Sequence, residues 1–210
     1  KVVAAFVGGY LDGLKHFAAG DREKSFQYRI ANSPELIRDL LESAQEARRE
    51  FLSDLIALEN GKFLATDEVV HKASDVDKCQ EVIEDSREEN DIEEGSRAGH
   101  FKVKDVAIKK GSGTASLGLD RYFVLIDGPT VDHADDLMLE LKQTRRSALA
   151  GLVAADVEGE QVYEEGEAER VVKSQQVHLA GGDPYFGHDT IDDTRFLVKQ
   201  RGPLKDDIDI

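Results

Sequence analysis

Apolar positions near the start of the chain recur in steps of three and four: Val3, Phe6, Val7, Tyr10, Leu11, Leu14 and Phe17. That period puts them on one helix face, and Gly20 is the expected stop. A second helix is predicted to open at "NSPEL". There Ser33 would cap, Pro34 suits the first helical position, and Glu35 favours the positive end of the helix dipole. Its apolar face continues through Leu36, Leu40, Ala44, Ala47, Phe51, Leu55 and Leu58, with Asn60-Gly61 as the expected end. A third helix is predicted over Val76 to Glu89. The stretch "EDSREENDIEEGSRAG" reads as a solvated acidic connector.

After residue 100 the period drops to two. "FKVKDVAIKK", "RYFVLIDG", "DLMLELKQT" and "TRFLVKQRG" alternate or are β-branched, and Gly, Asp and Pro bound them. A helix is expected from about Glu165 to Leu179, and "DPYFGHD" reads as a turn with two packing aromatics. No internal repeat is present. The pattern predicts an α+β fold: a helical region over 1–90, an acidic connector over 91–100, and an antiparallel sheet with one packed helix over 101–210.

Composition narrows the function classes. The chain has 210 residues, enough for a proper core, and no apolar run approaches the roughly 20 residues of a membrane span. The opening segment carries Asp12 and Lys15 and no small-residue cleavage site, so it is not a signal peptide. The single cysteine, Cys79, excludes an internal disulfide and fits a reducing, cytoplasmic setting. The only methionine is Met138, and the chain is therefore expected to be a piece of a longer protein. Net charge is −16, a field that argues against nucleic-acid binding, and no membrane partner is expected. Residues 101–150 escape the acidity, with 8 basic and 7 acidic side chains. The six histidines lack ligand-type spacing, so no metal site is expected.

That balanced stretch contains "KKGSGTASLGLDRYFVLIDG". Gly111, Gly113 and Gly118 punctuate a loop between two strands, where backbone N–H groups can approach an anion because no Cβ intervenes. The same residues can also form a plain hairpin turn. The loop is not a P-loop, since no Gly-Lys-Ser/Thr triplet opens a helix, and a strand follows it where a dinucleotide fingerprint needs a helix. In "LMLELKQ" the alternation puts Met138, Glu140 and Lys142 on one face. A lysine ending the third strand, followed by a helix with acids, is the layout of a phosphate-contacting Lys paired with a helix Glu. Glu167 and Glu169 are both available as that partner. Lys109, Lys110, Arg145 and Arg146 could converge on the same loop.

"DVAIKKGSGTASLGLDRYFVLIDG", "LMLELKQTRRSALAG", "GEAERVVKSQQ" and "RFLVKQRGPLKDDIDI" together resemble the bacterial family catalogued as domain of unknown function 2252. "FVGGYLDGL" and the Ala44–Leu55 helix resemble its middle region, so the likeness covers most of the chain. The resemblance implies a distant relation to protein-kinase-like and aminoglycoside-phosphotransferase-like folds, with residues 101–210 forming something like a kinase small lobe. It implies a nucleotide or phosphate site at Gly111, Ser112, Gly113, Thr114, Gly118, Lys142 and Glu169, with ATP and Mg as cofactors of the full-length protein. Two family segments, Asp-x-His-x-x-Asn and Asp-Phe-Asp, are expected N-terminal to the glycine loop, and neither occurs in this sequence. Ser116 stands where a kinase has its third glycine, and Glu140 stands where kinases place a small apolar residue against adenine. The reading is a phosphate-binding lobe that alone transfers no phosphate. The alternative is a non-catalytic binding or scaffolding module that kept the lobe.

Overall fold

A computed structural model describes residues 2–18, 29–90, 92, 100–111, 116–148, 152, 166–178, 183 and 185–202. Three helices come first: α1 (Val2–Ala18), α2 (Glu35–Glu46) and α3 (Arg48–Ser53). A two-stranded hairpin follows, β1 (Ile56–Ala57) with β2 (Lys62–Phe63). Then come β3 (Val69–His71), α4 (Val76–Glu89), β4 (Val103–Lys109), β5 (Arg121–Ile126) and β6 (Leu137–Gln143). The last elements are α5 (Glu167–His178), β7 (Gly187–Ile191) and β8 (Thr194–Arg201). Strands β3 to β8 form one antiparallel sheet in the order β3-β4-β5-β6-β8-β7. The fold is α+β, as the change of period predicts.

Alternation along the central strands makes both sheet faces apolar. On one face α4 lays Cys79, Val82 and Ile83 against Val106, Val124, Leu139 and Val198. Burying each of the larger side chains contributes about 1.5–3 kcal/mol. On the other face Leu52, Ile56 and Phe63 cover Ala107, Phe123, Leu125 and Met138. Both α4 and α5 pack on the sheet where one packed helix was expected: α4 crosses β4 and β7, and α5 lies on β7 and β8.

The N-terminal region is not wholly helical. The predicted long second helix breaks at Ala47 into α2 and α3, and the chain is extended by Ile56. Asn60-Gly61 ends no helix. It turns the β1–β2 hairpin, with Gly61 at φ +60° and its N–H donating to the Ala57 carbonyl at 2.9 Å. Of the two residues only Gly61 takes the left-handed region, in a four-residue loop over 58–61 between Ala57 and Lys62. Ser33 does not cap α2: its hydroxyl donates to the Arg29 carbonyl at 2.8 Å, and Pro34 flanks the helix that starts at Glu35. The sheet also begins before residue 100, because β3 pairs with β4. "DPYFGHD" splits. Its first part is a turn on Asp183, whereas Gly187 opens β7, which pairs with β8 through a turn with Asp192 at φ 47° and Asp193 at φ 65°. Of the apolar residues that mark α1 as amphipathic, Val3, Phe6, Val7, Tyr10, Leu11 and Leu14 are exposed, and the Phe17 side chain lies outside the described residues. Gly20, most of the acidic connector and Leu179 lie outside the described residues.

Cys79 gives the core a pH signature. It is fully buried in α4, and burial first, then the charge of Asp75, pushes its thiol from the usual 9.0 up to about 12. In the unfolded chain the thiol ionises from about pH 8.5, while the folded thiol keeps its proton to about 12. The raised value means stability is fully present below the unfolded pKa and is lost as pH climbs through that window. Urea midpoints should fall between pH 9 and 12, and Cys79→Ala should flatten the early part of that fall. A maleimide at pH 7.5 should leave the native thiol unmodified and label it only in denaturant; rapid native labelling would contradict this packing.

Candidate functional site around the glycine loop

The loop joins two strands in hairpin register, with Ile108 opposite Tyr122. Its ends are constrained. Gly111 has φ +67° and Gly118 φ +77°, left-handed values that a side chain would strain. The Lys110 N–H donates to the Glu68 carbonyl at 2.7 Å, and the Lys109 amine pairs with the Glu68 carboxylate, which ties the β4 end of the loop to β3. At the other end Ser116 is buried, and its hydroxyl accepts from Arg121 Nη2 at 3.2 Å. Ser112, Gly113 and Thr114 lie outside the described residues.

Register places the charged residues of the central strands side by side. Arg121 stands opposite Lys142, Phe123 opposite Glu140, and Glu140 in turn opposite Lys199. Partners directly opposite in an antiparallel pair share a face. That face therefore carries Arg121, Lys142, Glu140, Lys199 and Arg201 next to the apolar cluster around Phe123. The Glu140 side chain is 3% exposed and lies between two cations, 3.1 Å from Arg121 Nε and 3.2 Å from Lys199 Nζ. The Arg121 contact is an ion pair rather than a hydrogen bond, because Arg121 Nε and Glu140 Oε1 are both desolvated and not aligned to bond. Glu140 is thus neutralised inside the sheet and presents no bare carboxylate to a phosphate. Lys142 differs from its neighbours. It is half-buried, and no ion pair to it occurs among the described residues.

The helix acids do not reach it. Glu167 pairs with Arg170 at 2.7 Å, and Glu169, itself buried, pairs with Lys173 one turn on. Neither forms an ion pair with Lys142. Arg145 and Arg146 are exposed just beyond β6. Beside β4 and β5 a cavity of about 550 Å³ opens between the sheet and residues 54–68, with Val69, Phe123, Leu55 and Leu64 as its apolar wall and Lys109 and Arg201 at its edge. The size suits a small molecule. Sequence reasoning missed Lys199 and Arg201, since β8 meets β6 only through a pairing that spans α5. No group of three or more His, Cys, Asp or Glu suited to a metal ion occurs among the described residues, and no helix there is long and apolar enough to cross a membrane.

A family profile described as an uncharacterized protein conserved in bacteria (DUF2252) matches residues 1–210. The chain belongs to the DUF2252 family. No curated protein and no solved structure matches this DUF2252 chain. The family assignment brings no described activity with it, so any function has to come from the site.

Proposed function

We propose that this DUF2252 chain supplies the phosphate-binding lobe of a kinase-like phosphotransferase and takes a nucleotide through its glycine loop and Lys142. The observation that carries the reading is Lys142 itself: a half-buried lysine without an ion pair among the described residues, on the second strand after a glycine loop. Chain order adds support, because a glycine-rich loop, a lysine on the third strand and then a helix is the sequence of parts that covers phosphates in protein kinases. Local charge adds more. Of the charged residues named on this face, four are cations (Arg121, Lys142, Lys199 and Arg201) and one is an acid, Glu140, a surplus of three. A base has room in the cavity beside Phe123.

ATP phosphates would fall to Lys142 and to the backbone of the Gly111–Gly118 loop, and the bound nucleotide would supply the transferable phosphoryl group. No group of three or more His, Cys, Asp or Glu suited to a metal ion occurs among the described residues, so no step is assigned to magnesium. Positioning and metal-held charge supply most of phosphoryl-transfer catalysis. This chain alone is therefore expected to bind without turnover. The Glu169–Lys173 pair favours a second reading, a binding module without chemistry, because it occupies the acid that a kinase-like site would give to Lys142.

Amide chemical shifts during a titration with ATP test the site. Perturbations at Gly111, Gly118 and Lys142 that shrink as salt rises support it. No perturbation, or one confined to residues 1–60, leaves the loop a turn. Nucleotide turnover by the purified chain that disappears in Lys142→Ala would overturn the expectation of binding without transfer.

A further inference from the structure

A second, smaller cavity of about 160 Å³ lies between α2, α3 and the facing ends of β6 and β8. Ala44, Phe51, Leu52 and Met138 make its wall apolar, and Arg48 and Arg201 make it cationic. The Arg201 guanidinium sits 5.1 Å above the Phe123 ring, a cation–π contact that holds it in place. Its Nε is shut off from solvent without an acceptor, and no ion pair to Arg201 occurs among the described residues. A partly desolvated cation without a counter-charge raises the free energy of the folded state, and an anion beside it lowers it.

The remaining charges decide where that anion fits. Arg48 Nη2 donates to the Asp135 and Asp136 carbonyls at 2.9 and 3.3 Å, which orients its guanidinium at the wall. Asp136, the acid in this lining, is already engaged by the Lys104 amine and accepts from the Gly128 N–H at 3.1 Å. The larger cavity, which Arg201 also borders, has Asp54, Asp67 and Glu68 against Lys109 and Arg201. Its acids disfavour an anion, whereas the smaller cavity favours one. An apolar cavity of about 150 Å³ is known to admit a benzene ring.

We propose that the small cavity binds an organic monoanion with an apolar body about the size of one ring, its carboxylate set against the fork of Arg201. Met138 and Lys142 are four strand positions apart, about 13 Å. The Lys142 phosphate site is therefore remote from this cavity, while Arg201 borders both it and the larger cavity offered to the base.

Benzoate is the probe, with benzyl alcohol and benzylamine as controls of similar shape. Benzoate should give saturable amide shifts at Ala44, Leu52, Met138 and Gly202, while both controls bind at least tenfold more weakly. Arg201→Leu should weaken benzoate at least tenfold, and Lys142→Ala should leave it unchanged. Should Arg201→Leu fail to fold, Ala44→Leu, which fills the cavity from α2, should remove the benzoate shifts. Equal binding of benzoate and benzyl alcohol, shifts scattered away from the cavity, or binding that survives the substitutions would overturn the proposal.

Discussion

Glu140→Ala should cost about 3–5 kcal/mol of folding stability, the range for breaking a buried ion pair by removing one partner. The carboxylate is nearly inaccessible and lies between Arg121 and Lys199. Without it Arg121, whose Nε is already desolvated, faces Lys199 with no charge between them. Glu140→Gln should cost less, since the amide keeps the volume and an acceptor oxygen. Replacing all three residues with Met or Leu should be close to neutral, because it removes the desolvation cost along with the attraction. Urea denaturation of the four proteins checks this. A Glu140→Ala protein within 1 kcal/mol of the parent would show that the triad is not the buried network described.

Phe123→Ala should be comparably severe, at about 3–5 kcal/mol. Its ring is 1% exposed, packs 6.4 Å from the Phe63 ring, and joins β5 to the β1–β2 hairpin through the same apolar cluster. It also supports Arg201. For a chain of this size that loss corresponds to a melting temperature lower by roughly 10 °C. Phe63→Ala should show a coupled effect, so that the double variant loses less than the sum of the singles. Strict additivity would place the two rings in independent environments.

Where the chain alternates strongly, pattern and structure agree. The helix at Val76–Glu89 and the strands at Arg121–Ile126 and Leu137–Gln143 stand where periodicity puts them. Strands β1, β2 and β3 have only two or three residues each, too few to show a period. β7, with the sequence GHDTI, has one large apolar residue and takes its conformation from pairing with β8. The same logic divides the site. The Arg121–Lys142 juxtaposition follows from consecutive strands in hairpin order and is within reach of sequence reasoning. Lys199 and Arg201 reach Glu140 and Phe123 only because β8 inserts between β6 and β7, which no local pattern encodes. Chain order offers both Glu167 and Glu169 to Lys142, whereas Arg170 and Lys173, within one turn on the same helix, are the nearer partners of those carboxylates.

Under the proposed function, Lys142 is the cation of a phosphate site formed with the glycine loop. Isothermal titration of ATP into the parent chain and into Lys142→Ala at low salt measures it most directly. Losing a charge-assisted contact of about 1.5–3 kcal/mol should weaken binding roughly 10- to 100-fold. Lys110→Ala, which alters an exposed lysine at the loop's edge, should change it by no more than a few-fold. ATP affinity equal in the parent and Lys142→Ala chains would contradict the account.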